Sequence, residues 1–149
     1  MIGRREDFVA KFRELSKQHG LAFTHQRQVI YQALLAAHGH PTPEVIYDVV
    51  RKRIPSISLG TVYKNIKTFL EAGLLREVSL HHGSMRLDAK LEAHHHLVCR
   101  VCRSITDLDE TQVGPAQFTG RLPKGFRIER QMVEIIGICA SCAKKQSSN

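Results

Sequence analysis

The chain has 149 residues, room for one ordinary domain or two small ones, and 42% are hydrophobic, enough for a mostly aliphatic core without any Trp. No apolar run approaches the ~18 residues of a membrane span, and the opening residues lack the apolar centre of a secretion signal, so a cytoplasmic location is expected. A formal net charge of +8 favours an anionic partner such as nucleic acid, although excess charge also serves solubility.

Residues 4–19 carry Phe8, Phe12 and Leu15 at helical spacing, and Gly20 ends the segment. A second helix is expected from Gln26 to Ala37, with Val29, Ile30, Ala33, Leu34 and Ala37 on one face, broken by His38-Gly39-His40-Pro41. Thr42 and Pro43 suit the cap and first position of a third helix, expected to bury Val45, Ile46, Val49 and Val50 and to end near Ile54-Pro55. Ser58 caps a fourth, from Leu59 to about Ala72 before Gly73, with Leu59, Val62, Ile66, Phe69 and Leu70 as its buried stripe. Thr61, Tyr63, Lys64, Asn65 and Lys67 then lie largely off that stripe. Amides and cations read base edges and hydroxyls hold phosphates, so this face suits a DNA major groove; it suits plain solvent equally well. Leu74 to Leu80 reads as a strand, His81-His82-Gly83-Ser84 as a turn and Met85-Arg86-Leu87 as the return strand. The last three helices and this hairpin make a winged helix-turn-helix, with the first helix as an extension.

A second half begins near Ala89. Leu97-Val98 leads into a C-x-x-C pair, and Ser104 to Leu108 is the expected partner strand. Glu110 to about Leu122 is expected to be helical, despite Gly114-Pro115 near its start. Phe126 to Ile138 alternates well enough for a long strand, and Lys144 to Asn149 is expected to be disordered. The fold class is therefore α+β, with residues 1–88 as a winged-helix domain and 89–149 as a small metal-binding αβ domain.

Cys99-Arg-Val-Cys102 and Cys139-Ala-Ser-Cys142 hold all four cysteines. Each pair aims two sulfurs at one point, and two pairs complete a tetrahedron of thiolates for a structural zinc ion. A redox C-x-x-C leaves the second pair unexplained, and two disulfides would suit a secreted chain better.

A second metal site is expected around His94-His95-His96. On a strand alternate side chains share a face, so His94 and His96 can hold one ion while His95 points away. Asp88 precedes them, Asp107 follows, and His40 sits at the break after the second helix. Imidazoles with carboxylates suit Fe(II), Mn(II) or Zn(II), and the carboxylates favour the harder ions. The rival reading is a surface cluster that binds metal adventitiously. His25, His38, His81 and His82 read as ordinary surface or turn residues.

These motifs together resemble the ferric uptake regulator (Fur) family of metal-dependent repressors across residues 4–145. The resemblance is carried by Gln26-Arg27, His40-Pro41-Thr42 with Ile46-Tyr47, the run from Ser58 to Asn65, and Gly73-Leu74. It continues through Arg86-Leu87-Asp88, the run from His94 to Cys99, and both cysteine pairs. It implies a homodimer with a winged helix that binds an operator in double-stranded DNA, a C-terminal dimerisation domain, and a regulatory metal that closes the dimer onto DNA. Arg27, Ser58, Thr61, Tyr63, Lys64, Asn65 and Lys67 form the implied DNA-binding set. Within the family the chain looks most like the peroxide-sensing branch, whose ligands carry over onto His40, Asp88, His94, His96 and Asp107. Iron sensors commonly have Glu where Asp107 stands. The implied mechanism is repression with Fe(II) or Mn(II) bound, and release of DNA after metal-catalysed oxidation of His40 or His94. The alternative is an iron-status repressor without peroxide sensing. An enzyme, whether a metal hydrolase or a C-x-x-C oxidoreductase, lacks a visible nucleophile–base pair. Two departures stand out. His25 replaces the Pro that the family often has before Gln-Arg, which predicts a looser helix start, and Lys64 stands where the peroxide branch often has Asn.

Overall fold

Three hydroxyl side chains set the helix starts at the N-terminal end of the chain. Thr24, Thr42 and Ser58 each adopt an extended backbone and accept the N–H three residues on, from Arg27, Val45 and Thr61. Each such cap is worth about 1 kcal/mol. They open α2 (His25–Ala36), α3 (Pro43–Val50) and α4 (Leu59–Glu71), which follow α1 (Ile2–Gln18). The computed structural model describes residues 2–78, 83–114 and 120–147. The chain divides into two units, Met1–Leu91 and Glu92–Asn149. At the start of α2 the Thr24 cap closes the helix although His25 stands there instead of Pro.

The first unit packs one stripe of each helix into a shared core. Phe12 of α1, Ile30 and Tyr31 of α2, Ile46 and Val50 of α3, and Val62, Ile66 and Phe69 of α4 are all buried. Aromatic rings form its centre, with Phe12 and Tyr31 centroids 5.1 Å apart and Tyr31 edge-on to Phe69 at 5.4 Å. Burying such a side chain contributes roughly 1.5–3 kcal/mol. Leu74 and Leu75 close the core and lead into β1 (Arg76–Val78), which pairs antiparallel with β2 (Arg86–Asp88). The expected winged helix-turn-helix order is therefore present. The strand is shorter than Leu74–Leu80 and the return strand starts at Arg86, not Met85. Ser79, Leu80 and the expected turn residues His81 and His82 lie outside the described residues.

Burial expectations change in this unit at Val45, Val49 and Asn65, and in part at Leu59, which is only half-buried. Val45 and Val49 are 50% and 46% exposed, because α3 turns Ile46 and Val50, with Tyr47 beside them, toward the core instead. Asn65, expected off the buried stripe, is only 8% exposed.

The second unit is a three-stranded sheet in the order β4-β3-β5. β3 (His95–Cys99) pairs antiparallel with β4 (Ile105–Leu108) and parallel with β5 (Glu134–Gly137). The expected helix from Glu110 is broken at Gly114: α5 (Glu110–Val113), capped by Asp109, ends there at φ 71. Pro115 to Thr119 lie outside the described residues, and residues 120–122 are not helical. Only the last third of the expected Phe126–Ile138 strand forms, because β3 offers β5 just the four partners His96 to Cys99. Phe126, Ile128 and Met132 are accordingly exposed. At the other end, Lys144 to Ser147 are not disordered but continue α6 (Ala140–Ser147), while Ser148 and Asn149 lie outside the described residues. No helix among the described residues is long and apolar enough to cross a membrane.

Candidate functional site

The parallel pairing of β3 and β5 explains why cysteines distant in sequence meet. Parallel strands end side by side, and Cys99 at the end of β3 lies opposite Gly137 at the end of β5. Cys102 follows in a tight turn that Arg103 completes at φ 63, while Cys139 and Cys142 sit at the entry to α6. All four thiols are free, and all four sulfurs lie within 4.8 Å of one another. The corners of a tetrahedron about 2.3 Å from a central zinc are about 3.8 Å apart. The Cys102 and Cys139 sulfurs are 3.8 Å apart. The donor set and its spacing therefore fit zinc. Backbone N–H groups also converge on the sulfurs: Cys139 N–H donates to Cys99 Sγ at 3.3 Å. The N–H groups of Cys102 and Cys139 lower the Cys99 thiol to about 6, favouring its thiolate, whereas hydrogen bonding to Cys139 raises Cys142 to about 12.

The histidine run uses the period of two that a strand imposes. His94 and His96 bring their Nε2 atoms to 3.1 Å, close to the about 3.0 Å expected for two cis ligands of one ion. Asp107 is the register partner of His96 across β3 and β4. Its Oδ1 stands 3.6 Å from His94 Nε2 and 3.8 Å from His96 Nε2. His94 Nδ1 lies 2.8 Å from the Glu92 carbonyl, which can only accept, so the proton sits on Nδ1 and the Nε2 lone pair faces the cluster. His95 points away and takes the opposite tautomer, because its Nδ1 accepts the Val133 N–H at 3.0 Å. His94, His96 and Asp107 thus offer two borderline nitrogens and one hard oxygen, a set that fits Fe(II), Mn(II) or Zn(II).

The remaining two expected ligands belong to the first unit and lie together within it. His40 Nδ1 is 3.9 Å from Asp88 Oδ1, and both residues are buried. Buried charge-capable groups are retained where they are paired or bind a cation. His40 has φ 56, a left-handed conformation that costs a non-glycine residue about 1–3 kcal/mol. By contrast His25 and His38 are exposed, as expected of ordinary surface residues, and His81 and His82 lie outside the described residues.

On α4 the exposed face carries Tyr63, Lys64 and Lys67, with Thr61 half-buried and Ser58 engaged in the cap. Tyr63 donates to the Glu44 carboxylate of α3 at 2.5 Å, which holds that carboxyl below its ordinary range and raises the phenol. Asn65 donates to the Thr61 carbonyl at 2.8 Å and accepts Arg27 Nε at 3.2 Å, while Arg27 also donates to the Ala22 carbonyl at 2.8 Å. Arg27 and Asn65 therefore tie α2 to α4. Sequence reasoning missed the Glu44–Tyr63 bond, the Arg27–Asn65 bond and the hydrogen bonds from the Arg86 guanidinium to the Gly39 and His40 carbonyls. The shared strand face of Arg86 and Asp88 was the one local signal for the last.

The ferric uptake regulator family model matches residues 18–136. The peroxide operon regulator of Bacillus subtilis (strain 168) is 34% identical over 139 residues, covering 90% of this chain and 92% of that protein. The peroxide-responsive repressor PerR of Staphylococcus aureus (strain Mu50 / ATCC 700699) is 31% identical over 140 residues, covering 94% and 92%. Among solved structures, the peroxide stress regulator of Campylobacter jejuni superposes with a TM-score of 0.61 at 26% identity, covering 90% of this chain and 98% of that one. The Helicobacter pylori ferric uptake regulator shares the fold at a TM-score of 0.66 and 18% identity, covering 93% of each chain. The chain belongs to the ferric uptake regulator family.

Proposed function

We propose that the protein is a metal-dependent transcriptional repressor, not an enzyme, that binds operator DNA as a cytoplasmic homodimer and releases it when peroxide oxidises a histidine ligand. The observation that carries this reading is the convergence of His94 Nε2, His96 Nε2 and the Asp107 carboxylate, with every thiol of the chain committed elsewhere. The Bacillus and Staphylococcus relatives, a peroxide operon regulator and a peroxide-responsive repressor, support the same signal.

In this reading the four cysteines hold structural zinc, and His40, Asp88, His94, His96 and Asp107 form the regulatory Fe(II) or Mn(II) set. Held there, Fe(II) would supply the one-electron chemistry that activates peroxide, and Mn(II) would supply it far less readily. His94 is oriented for ligation by the Glu92 carbonyl, and His40 by its fixed backbone. His40 and His94 are assigned as the side chains that take up oxygen. Metal occupancy of the regulatory set would be coupled to DNA affinity by linkage. Homodimerisation is supported by β5, an edge strand whose Ile135 and Ile136 are 43% and 59% exposed. Loss of DNA binding by the Fe(II) form after peroxide, with the Mn(II) form unaffected, tests the reading; an Fe(II) form that keeps DNA favours plain iron sensing.

The DNA-reading role belongs to α4. Tyr63, Lys64 and Lys67 face outward for base edges and phosphates, while Ser58 and Thr61 offer hydroxyls near the helix start. Arg27 and Asn65 serve by fixing the angle of α4 against α2. Tyr63→Ala or Lys64→Ala is expected to weaken operator binding by roughly 1–3 kcal/mol while zinc content and dimerisation persist. A gel-shift titration checks this, and wild-type affinity in both variants would mean that another face reads DNA.

A further inference from the structure

We propose that Arg86 is a positioning residue that presents His40 to the regulatory metal and makes the His40 loop and strand β2 one mechanical piece. The inference rests on the reading of His40 and Asp88 as ligands. His40 precedes Pro41, and a residue before proline prefers an extended backbone. Here it stands at φ 56, after Gly39 at φ 73. Local sequence therefore opposes the conformation adopted at His40, and something outside the loop must hold it.

Strand β2 supplies that hold. Arg86 Nε donates to the His40 carbonyl at 2.5 Å, and a second guanidinium nitrogen donates to the Gly39 carbonyl at 2.8 Å. The next residue, Leu87, donates its N–H to the Pro41 carbonyl at 2.9 Å. Two consecutive strand residues thus grip three consecutive loop residues. Asp88, on the same strand face as Arg86, meets the His40 ring at 3.9 Å. A guanidinium presents several N–H groups in a fixed fork that matches two successive carbonyls; an ammonium is a point charge on a flexible stem and cannot fix both in register. Because β2 pairs with β1 in the hairpin, the same grip connects the ligand loop to the wing. A metal held by His40 and Asp88 would therefore be coupled to the hairpin through Arg86.

The test uses the full-length zinc-loaded protein with Mn(II) as probe, comparing wild type, Arg86→Lys, Arg86→Gln and His40→Ala. Mn(II) affinity is measured by competition with a chromophoric chelator, and amide exchange at Leu87 is followed without Mn(II). Both Arg86 variants should bind Mn(II) about tenfold or more weakly, the usual cost of losing a residue that supports a ligand. Their Leu87 amide should exchange faster, with zinc content retained and operator affinity restored at saturating Mn(II). Wild-type Mn(II) affinity in Arg86→Lys, where His40→Ala loses it, overturns this inference and leaves the ligand reading standing. So does a loss of operator affinity that saturating Mn(II) does not restore, which would make Arg86 a DNA contact. Wild-type Mn(II) affinity in His40→Ala overturns the ligand reading and this inference with it.

Discussion

Cys99→Ser or Cys142→Ser should cost the protein its zinc and, with it, the folded second unit. Among the described residues that unit buries Val98 and Ile105 with little else apolar beyond Cys99 and Cys142 themselves. So small a core cannot offset the chain entropy of ordering the sheet. Structural zinc contributes an apparent ~10–16 kcal/mol in small domains at neutral pH, so a lost ligand removes several kcal/mol of coupled folding energy. Metal analysis should find about one zinc per wild-type chain and far less in either variant, and size-exclusion chromatography should show the dimer lost. A stable zinc-free dimer of either variant contradicts the assignment. The pH dependence has a fixed sign. Zinc binds thiolates, so binding releases protons and weakens as pH falls. Cys99, lowered from 9 to about 6, contributes stability that is fully present above about pH 9 and is lost as pH falls from there through about 6. Cys142, raised to about 12 by its hydrogen bonding to Cys139, must surrender its proton to bind zinc at neutral pH. Chelator extraction of zinc should therefore accelerate from pH 8 toward pH 5.

Asp107→Glu should separate repression from peroxide sensing. The backbone of Asp107 is fixed by its pairing with His96 across the strands, so a longer side chain pushes its carboxylate about one methylene further toward the His94 and His96 nitrogens. A carboxylate remains available, so Fe(II)-dependent and Mn(II)-dependent operator binding should persist. The position left for peroxide changes, and inactivation of the Fe(II) form should slow by about tenfold or more, the scale on which altered ligand support changes metal-site activity. Gel shifts after timed peroxide exposure measure it, and wild-type inactivation rates in Asp107→Glu would mean that this carboxylate does not shape the site.

Much of the site was legible because its rules are local. The C-x-x-C spacing, the period of two that separates His94 and His96 from His95, and the hydroxyl caps at Thr42 and Ser58 all depend on a few neighbouring residues. What stayed hidden depends on distant partners. Alternation from Phe126 to Ile138 is necessary for a strand but not sufficient, and residues before Glu134 find no strand to pair with among the described residues. Asn65 escapes hydrophobic periodicity because a buried amide is satisfied only by Thr61 and by Arg27 on another helix. The polar tail from Lys144 to Ser147 is helical because α6 begins among the cysteines, where the Ala143 N–H bonds the Cys139 carbonyl at 2.9 Å. The left-handed backbone at His40 is equally invisible, because it is imposed by Arg86 from the wing.

The most direct test joins a DNA-shift assay to mass spectrometry of tryptic peptides on the Fe(II) and Mn(II) forms, before and after peroxide. Both forms should bind operator, only the Fe(II) form should lose it, and one oxygen atom should appear on His40 or His94. Exposed His25 and His38 should be spared, because they stand outside the ligand set. Oxygen confined to the cysteines, or spread evenly over all nine histidines, would contradict the mechanism.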